Sequence, residues 1–277
     1  MFVLEPIFHY AIWGGDRLKP FYGERAAGLA HLYALWCKKD KSNVILNGVH
    51  AGERLVDIIG EYPLTLAIVD AKDDLSIQVH PLGAEAKREA YYFLEAPECG
   101  YIYNGVTTDK KSVFASAAKA NATMTLVNRV AVSDHDYIYV APGTLHAMTA
   151  GSLVYEIEEG SDKTYRIYDY DRVDHDGRQR ELHVEQALDV LDVALVSGAG
   201  RYPESGEIRE ETFSTQLMQN MTEYTNTGDR LACLTVLRGC PVVDDINMTC
   251  GMAVILEPGE SVRSDETIDC IAAKFLI

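Results

Sequence analysis

The chain has 277 residues, 47% hydrophobic and 24% charged, enough apolar surface to bury a sizeable core in one large or two modest domains. Its 42 acidic residues outnumber 25 basic ones for a formal charge of −17, a field that disfavours nucleic acid and anionic membranes as partners. An anionic small ligand would need local Lys or Arg to bind against it. The first residues lack a basic stretch followed by an apolar run, no apolar segment is long enough to span a bilayer, and the six cysteines are scattered without paired spacing. Free thiols and a cytoplasmic location are therefore expected.

To about residue 180 the sequence reads as short strands broken by Gly, Pro, Asn and Asp, the pattern of an all-β barrel or sandwich. Two short helices interrupt it, at Leu55 to Tyr62 and at Lys111 to Ala120. In Asp74 to Pro81, polar Ser76, Gln78 and His80 alternate with apolar Leu75, Ile77 and Val79. A strand sends the two sets to opposite sides and leaves Gln78 and His80 about 7 Å apart on one face, able to converge on an ion; the alternative is a polar side open to solvent. Gly83 to Ala90 is a good helix former with a charged face, and Tyr91 to Leu94 reads as a strand. Asp136 to Val140 is a strand ending in a Pro142-Gly143 turn that hands His146 to the next strand. At such a barrel mouth a histidine suits a metal, or is satisfied by nearby backbone.

Alternation returns in Leu153 to Glu158 and in Thr164 to Asp169. A helix is predicted over His183 to Leu195, where Val184, Ala187, Leu188, Leu191 and Leu195 recur at helical spacing, and it separates two β units. Gly198 to Gly206 is rich in turn formers and reads as a linker. From Thr212 to Ile277 strands alternate with Gly and Pro-Gly turns, as expected of a small jelly roll.

Several of these stretches together are specific. Leu75 to Pro81 (L-S-I-Q-V-H-P), Ala141 to Ala147, Ser161 to Arg172, Arg180 to His183 and the Trp13-Gly14-Gly15 element resemble the class I mannose-6-phosphate isomerase family in its short bacterial form, over about residues 6 to 195. The resemblance implies a cupin (jelly-roll β-barrel) fold, with a metal-binding domain over 1–182, a connecting helix over 183–198 and a smaller β domain over 199–277. It implies one zinc ion held by Gln78, His80, Glu89 and His146, a donor set that satisfies zinc and leaves room for water or substrate oxygens. Glu89 sits in the helix-forming stretch after a shortened loop, with Glu85 and Glu95 as substitutes.

The activity implied is interconversion of mannose 6-phosphate and fructose 6-phosphate, in a monomer or homodimer. A metal would polarise the carbonyl and hydroxyl oxygens, Lys87 and Arg166 would be the catalytic residues and hold the phosphate, and Ser76 and Trp13 would complete the substrate site. Taken without the resemblance, Arg166 reads as a surface ion-pair partner of Asp162 or Asp169. The family's G-E-x-W element is replaced here by Ala30, His31, Leu32 and Tyr33. That departure keeps a second reading open, a sugar-binding or regulatory cupin with the metal scaffold but a blocked or uncharged pocket. A metal-dependent oxygenase fits less well, because Gln78 stands where a histidine would be expected.

Overall fold

The computed structural model describes residues 1–174, 176–203 and 206–277. Three β-sheets are stacked in layers. The middle sheet has seven strands, in the spatial order Gly200–Arg201, Asp136–Val140, Lys87–Glu95, Leu153–Gly160, Leu64–Asp70, Leu29–Leu35 and Ile7–Gly15. One outer sheet has five: Tyr165–Tyr168, Ile77–Val79, His146–Ala147, Tyr101–Val106 and Val127–Ala131. The other has six: Phe2–Leu4, Ala253–Leu256, Ala232–Arg238, Ser261–Phe275, Phe213–Thr225 and Glu207–Arg209. The architecture is the expected all-β cupin, although the sheets among the described residues face one another without closing into a barrel.

The layering follows from the two-residue period of a strand. In Leu64–Asp70, Ala67 and Val69 join the core shared with the five-stranded sheet, while Leu66 and Ile68 join the core shared with the six-stranded sheet. Both faces of this central strand are thus covered, which is why Leu64–Asp70 is buried along its whole length. A third core lies on the far side of the six-stranded sheet, around Leu234, Val254 and Ile268. Phe2–Leu4 pairs with Ala253–Leu256, so the first strand of the chain belongs to the sheet built by its last part.

The first two helices form as expected, over Leu55–Ile59 and Lys111–Lys119. The third is shorter than its apolar spacing predicts and covers Val184–Val190. Beyond it the Asp192 N–H donates to the Gly143 carbonyl rather than continuing the helix, a tertiary bond that sequence periodicity does not contain. Leu188 and Leu191 still pack into the core with Ile77 and Val79. Glu204 and Ser205 of the expected linker lie outside the described residues. All six cysteines are free, and among the described residues no helix is long and apolar enough to cross a membrane.

Candidate metal centre

The site lies between the middle sheet and the five-stranded sheet, and each contributes a row of side chains. In the five-stranded sheet Arg166 is paired directly with Gln78, and Gln78 with His146. Directly opposed residues point to the same face, so three residues from distant parts of the sequence form one line. In the middle sheet Glu158 is paired with Glu89 and Glu156 with Tyr91, while Lys87 lies two residues before Glu89 on the same face. The stretch around Glu89 is therefore strand from Lys87 onward, with a single 3₁₀ turn at Gly83–Glu85, rather than the helix its composition allows. Pairing on both sides, with Val140 and Glu158, overrides the local propensity.

Two histidines converge on Glu89. The His80 Nε2 atom is 2.9 Å from Glu89 Oε1, and His146 Nε2 is 3.3 Å from Glu89 Oε2, with all three side chains buried. His80 Nδ1 is 3.0 Å from the Lys163 carbonyl and His146 Nδ1 is 2.9 Å from the Thr144 carbonyl. A carbonyl only accepts, so each Nδ1 carries a proton and each ring turns its Nε2 toward the carboxylate. His80 Nε2 accordingly makes no hydrogen bond. Burial first, and the charge of Lys87, pull the His80 pKa down to about 4, although Glu89 acts in the opposite direction. The Gln78 amide nitrogen lies 3.4 Å from His146 Nε2, and a half-turn of the amide exchanges it for the oxygen. Two lone pairs, a carboxylate and an amide oxygen directed at one point repel one another unless a cation sits among them. The donor set fits zinc.

Beside this group lies an unusual density of buried charge. Lys87 Nζ is 2.7 Å from Glu89 Oε1 and 2.8 Å from Glu158 Oε1. Burial favours a neutral Lys87, but Glu158, Glu89 and Glu156 outweigh it and hold its pKa well above the ordinary value. Burial also acts upward on Glu89, yet its cationic neighbours keep its carboxyl well below the usual range; with His80 neutral at pH 7, Lys87 is the partner that matters. Glu156 goes the other way, its pKa pushed well above the ordinary carboxylate value by burial and by Glu158 and Glu89. The Tyr91 hydroxyl donates to Glu89 Oε2.

These groups open onto a cavity of about 200 Å³. Its walls include every expected substrate residue, Trp13, Ser76, Lys87 and Arg166, together with the ligand candidates Gln78 and Glu89. Arg166 does not form the surface ion pair that its neighbours suggest, because Asp169 is engaged by Arg172 and Arg180. Of the alternative acids, Glu85 is exposed and paired with Lys163, and Glu95 lies at the far end of its strand beside Arg17. Among the lining residues with no role expected from sequence are Glu156, Glu158, His31 and Arg180. The first two stood in the alternation of Leu153 to Glu158, which shows a period but not which face is the cavity. His31 and Tyr33 bring the departure from the G-E-x-W element onto the cavity wall, with His31 edge-on to Trp13 at 5.1 Å between ring centroids.

Stacked sheets enclosing a charged cavity with converging histidine and carboxylate donors define a cupin with an interior polar site. No family model matches the chain. It is 33% identical over 222 residues, 70% of each chain, to the mannose-6-phosphate isomerase of Streptococcus mutans. It is 30% identical over 241 residues to the mannose-6-phosphate isomerase ManA of Bacillus subtilis, covering 79% of this chain and 75% of that one. The crystal structure of the mannose 6-phosphate isomerase from Bacillus subtilis superposes with a TM-score of 0.82 at 26% identity, covering 98% of both chains. A zinc-bound mannose 6-phosphate isomerase shares the fold, with a TM-score of 0.61 at 14% identity and 99% and 98% coverage. The chain belongs to the mannose-6-phosphate isomerase family.

Proposed function

We propose that this chain is a zinc-dependent aldose-ketose isomerase that interconverts mannose 6-phosphate and fructose 6-phosphate. The observation that carries this reading is the convergence of His80, His146, Glu89 and Gln78 on one point in the wall of a cavity that Arg166 also lines. Family membership and the zinc carried by a protein of the same fold support it.

Gln78, His80, Glu89 and His146 would hold the ion, which when bound polarises the oxygens on the two carbons that exchange a proton. Lys87 lies against Glu89 and supplies positive charge beside those oxygens. Because Lys87 is already clamped by two carboxylates, the phosphate at the far end of the sugar falls to Arg166, whose guanidinium is paired to no carboxylate among the described residues. The carboxyl of Glu156 lines the same cavity, so it is placed to take up or return the proton that moves between C1 and C2. Trp13 and Tyr33 give the sugar apolar walls that exclude water.

A sugar-binding cupin without activity predicts a blocked or uncharged pocket, whereas this cavity is open and lined by Lys87, Arg166 and three glutamates. The test is a coupled assay of mannose 6-phosphate conversion on protein of measured metal content. Activity that vanishes on chelation and returns with zinc supports the reading. A zinc-loaded protein with no turnover overturns it.

A further inference from the structure

We propose that Arg180 is the second cation of the phosphate subsite, paired with Arg166 and aimed by Asp169. This rests on the reading of the cavity as a sugar-phosphate site, and gives a role to Arg180, which opens the Arg180 to His183 stretch but has none assigned from sequence. A phosphate dianion is best held by two positive charges, and Lys87 cannot be one of them while Glu89 and Glu158 enclose its ammonium group.

Arg166 and Arg180 line the same cavity. They come from separate segments, the strand Tyr165–Tyr168 and the turn that precedes the helix Val184–Val190, so the fold brings two like charges together. Burial and the neighbouring Arg180 both act against the charge on Arg166. Arg180 is clamped side-on: its Nε donates to Asp169 Oδ2 at 2.7 Å and its Nη2 to Asp169 Oδ1. The same carboxylate accepts from Arg172, so one anion serves two guanidiniums and positive charge is left over. With Nε and Nη2 committed, Nη1 of Arg180 makes no hydrogen bond among the described residues, and all of Arg166's guanidinium is likewise uncommitted. Thr164 on the same wall adds a hydroxyl. Asp162 also lines this cavity but is exposed to solvent, so water screens its charge. In a chain of net charge −17, two adjacent arginines with spare donors facing a cavity form the local cationic site that an anionic ligand needs.

The test uses zinc-loaded protein and two readouts, KM for mannose 6-phosphate and the Kd of inorganic phosphate by titration calorimetry. Loss of one charge-assisted contact is expected to raise both by about 10- to 100-fold in Arg180→Gln, with the loss falling on KM rather than kcat. Arg180→Lys should recover part of it, because lysine keeps the charge but not the two-point contact with Asp169. KM and Kd within twofold of the parent in both variants overturn the proposal, as does a parent protein without affinity for phosphate. If the parent binds phosphate, Arg180→Gln weakens that binding and no isomerisation occurs, the subsite stands and the isomerase reading falls.

Discussion

Replacing Lys87 by methionine removes the ammonium group that contacts Glu89 and Glu158 in a cluster where the carboxylate oxygens of Glu89, Glu156 and Glu158 lie within 4.8 Å of one another. Lysine, Glu89 and Glu158 side chains are 6%, 2% and 9% exposed, so water does little to screen them. At contacts of 2.7 and 2.8 Å each pair is worth roughly 6 kcal/mol of gross attraction at an effective dielectric of about 20. Most of that offsets the cost of burying the charges, and the net penalty for removing one partner of a buried pair is about 3–5 kcal/mol. For a chain of 277 residues this corresponds to a fall in Tm of about 6–10 °C. Thermal unfolding of Lys87→Met and parent protein in chelator at pH 7 reads it directly. The dependence on pH has a definite sign. Glu89 has its pKa depressed in the folded protein, so its stabilisation is present above the ordinary carboxylate pKa and is lost as pH falls through the folded value. The gap between parent and variant should therefore close in acid, and excess zinc should narrow it at pH 7. A variant within 2 °C of the parent in chelator at pH 7 would refute the reasoning.

Other outcomes follow from the same geometry. Alanine at His80 or at His146 removes a nitrogen donor and should lower zinc affinity by at least about 100-fold, read by metal content after dialysis; full metal content in either variant sinks the site. Arg166→Ala should keep its zinc and raise KM for mannose 6-phosphate by about 10- to 100-fold, and unchanged kinetics remove Arg166 from the subsite. The His31 side chain is 14% exposed, and desolvation is the main cause of a pKa lowered to about 3, which leaves it neutral at pH 7. Its contribution is complete above pH 6.5 and is lost as pH falls toward 3, by about 2 kcal/mol at pH 5. Denaturant titrations should thus show a shallower decline between pH 7 and pH 5 in His31→Phe, and parallel declines would disprove it.

The residues of the proposed metal site are legible because their pattern is local. Gln78 lies in the strand Ile77–Val79 and His80 follows it directly in a stretch of strict alternation, and Pro142-Gly143 marks the turn before His146, so short-range chemistry exposes them. Glu89 was recognised by family pattern against its own composition, since Gly83 to Ala90 favours helix and only the neighbouring strands hold it extended. Arg166 looked like a surface residue with acidic neighbours, and nothing near it in sequence reveals that Arg172 and Arg180 have taken Asp169.

By itself the sequence determined the strands, the turns and the identity of the residues able to bind an ion, because strand period, turn chemistry and donor type are properties of a few adjacent residues. Only the tertiary structure decided which face of Leu153–Gly160 became the cavity wall, that Phe2–Leu4 joins the sheet of the last part of the chain, and that the helix stops at Val190. It alone placed Arg180 beside Arg166 and closed Glu89 and Glu158 around Lys87. Most of these bring together residues far apart in the sequence. They are set by cross-strand register and by the need to pair buried charge, and both arise only when the sheets stack.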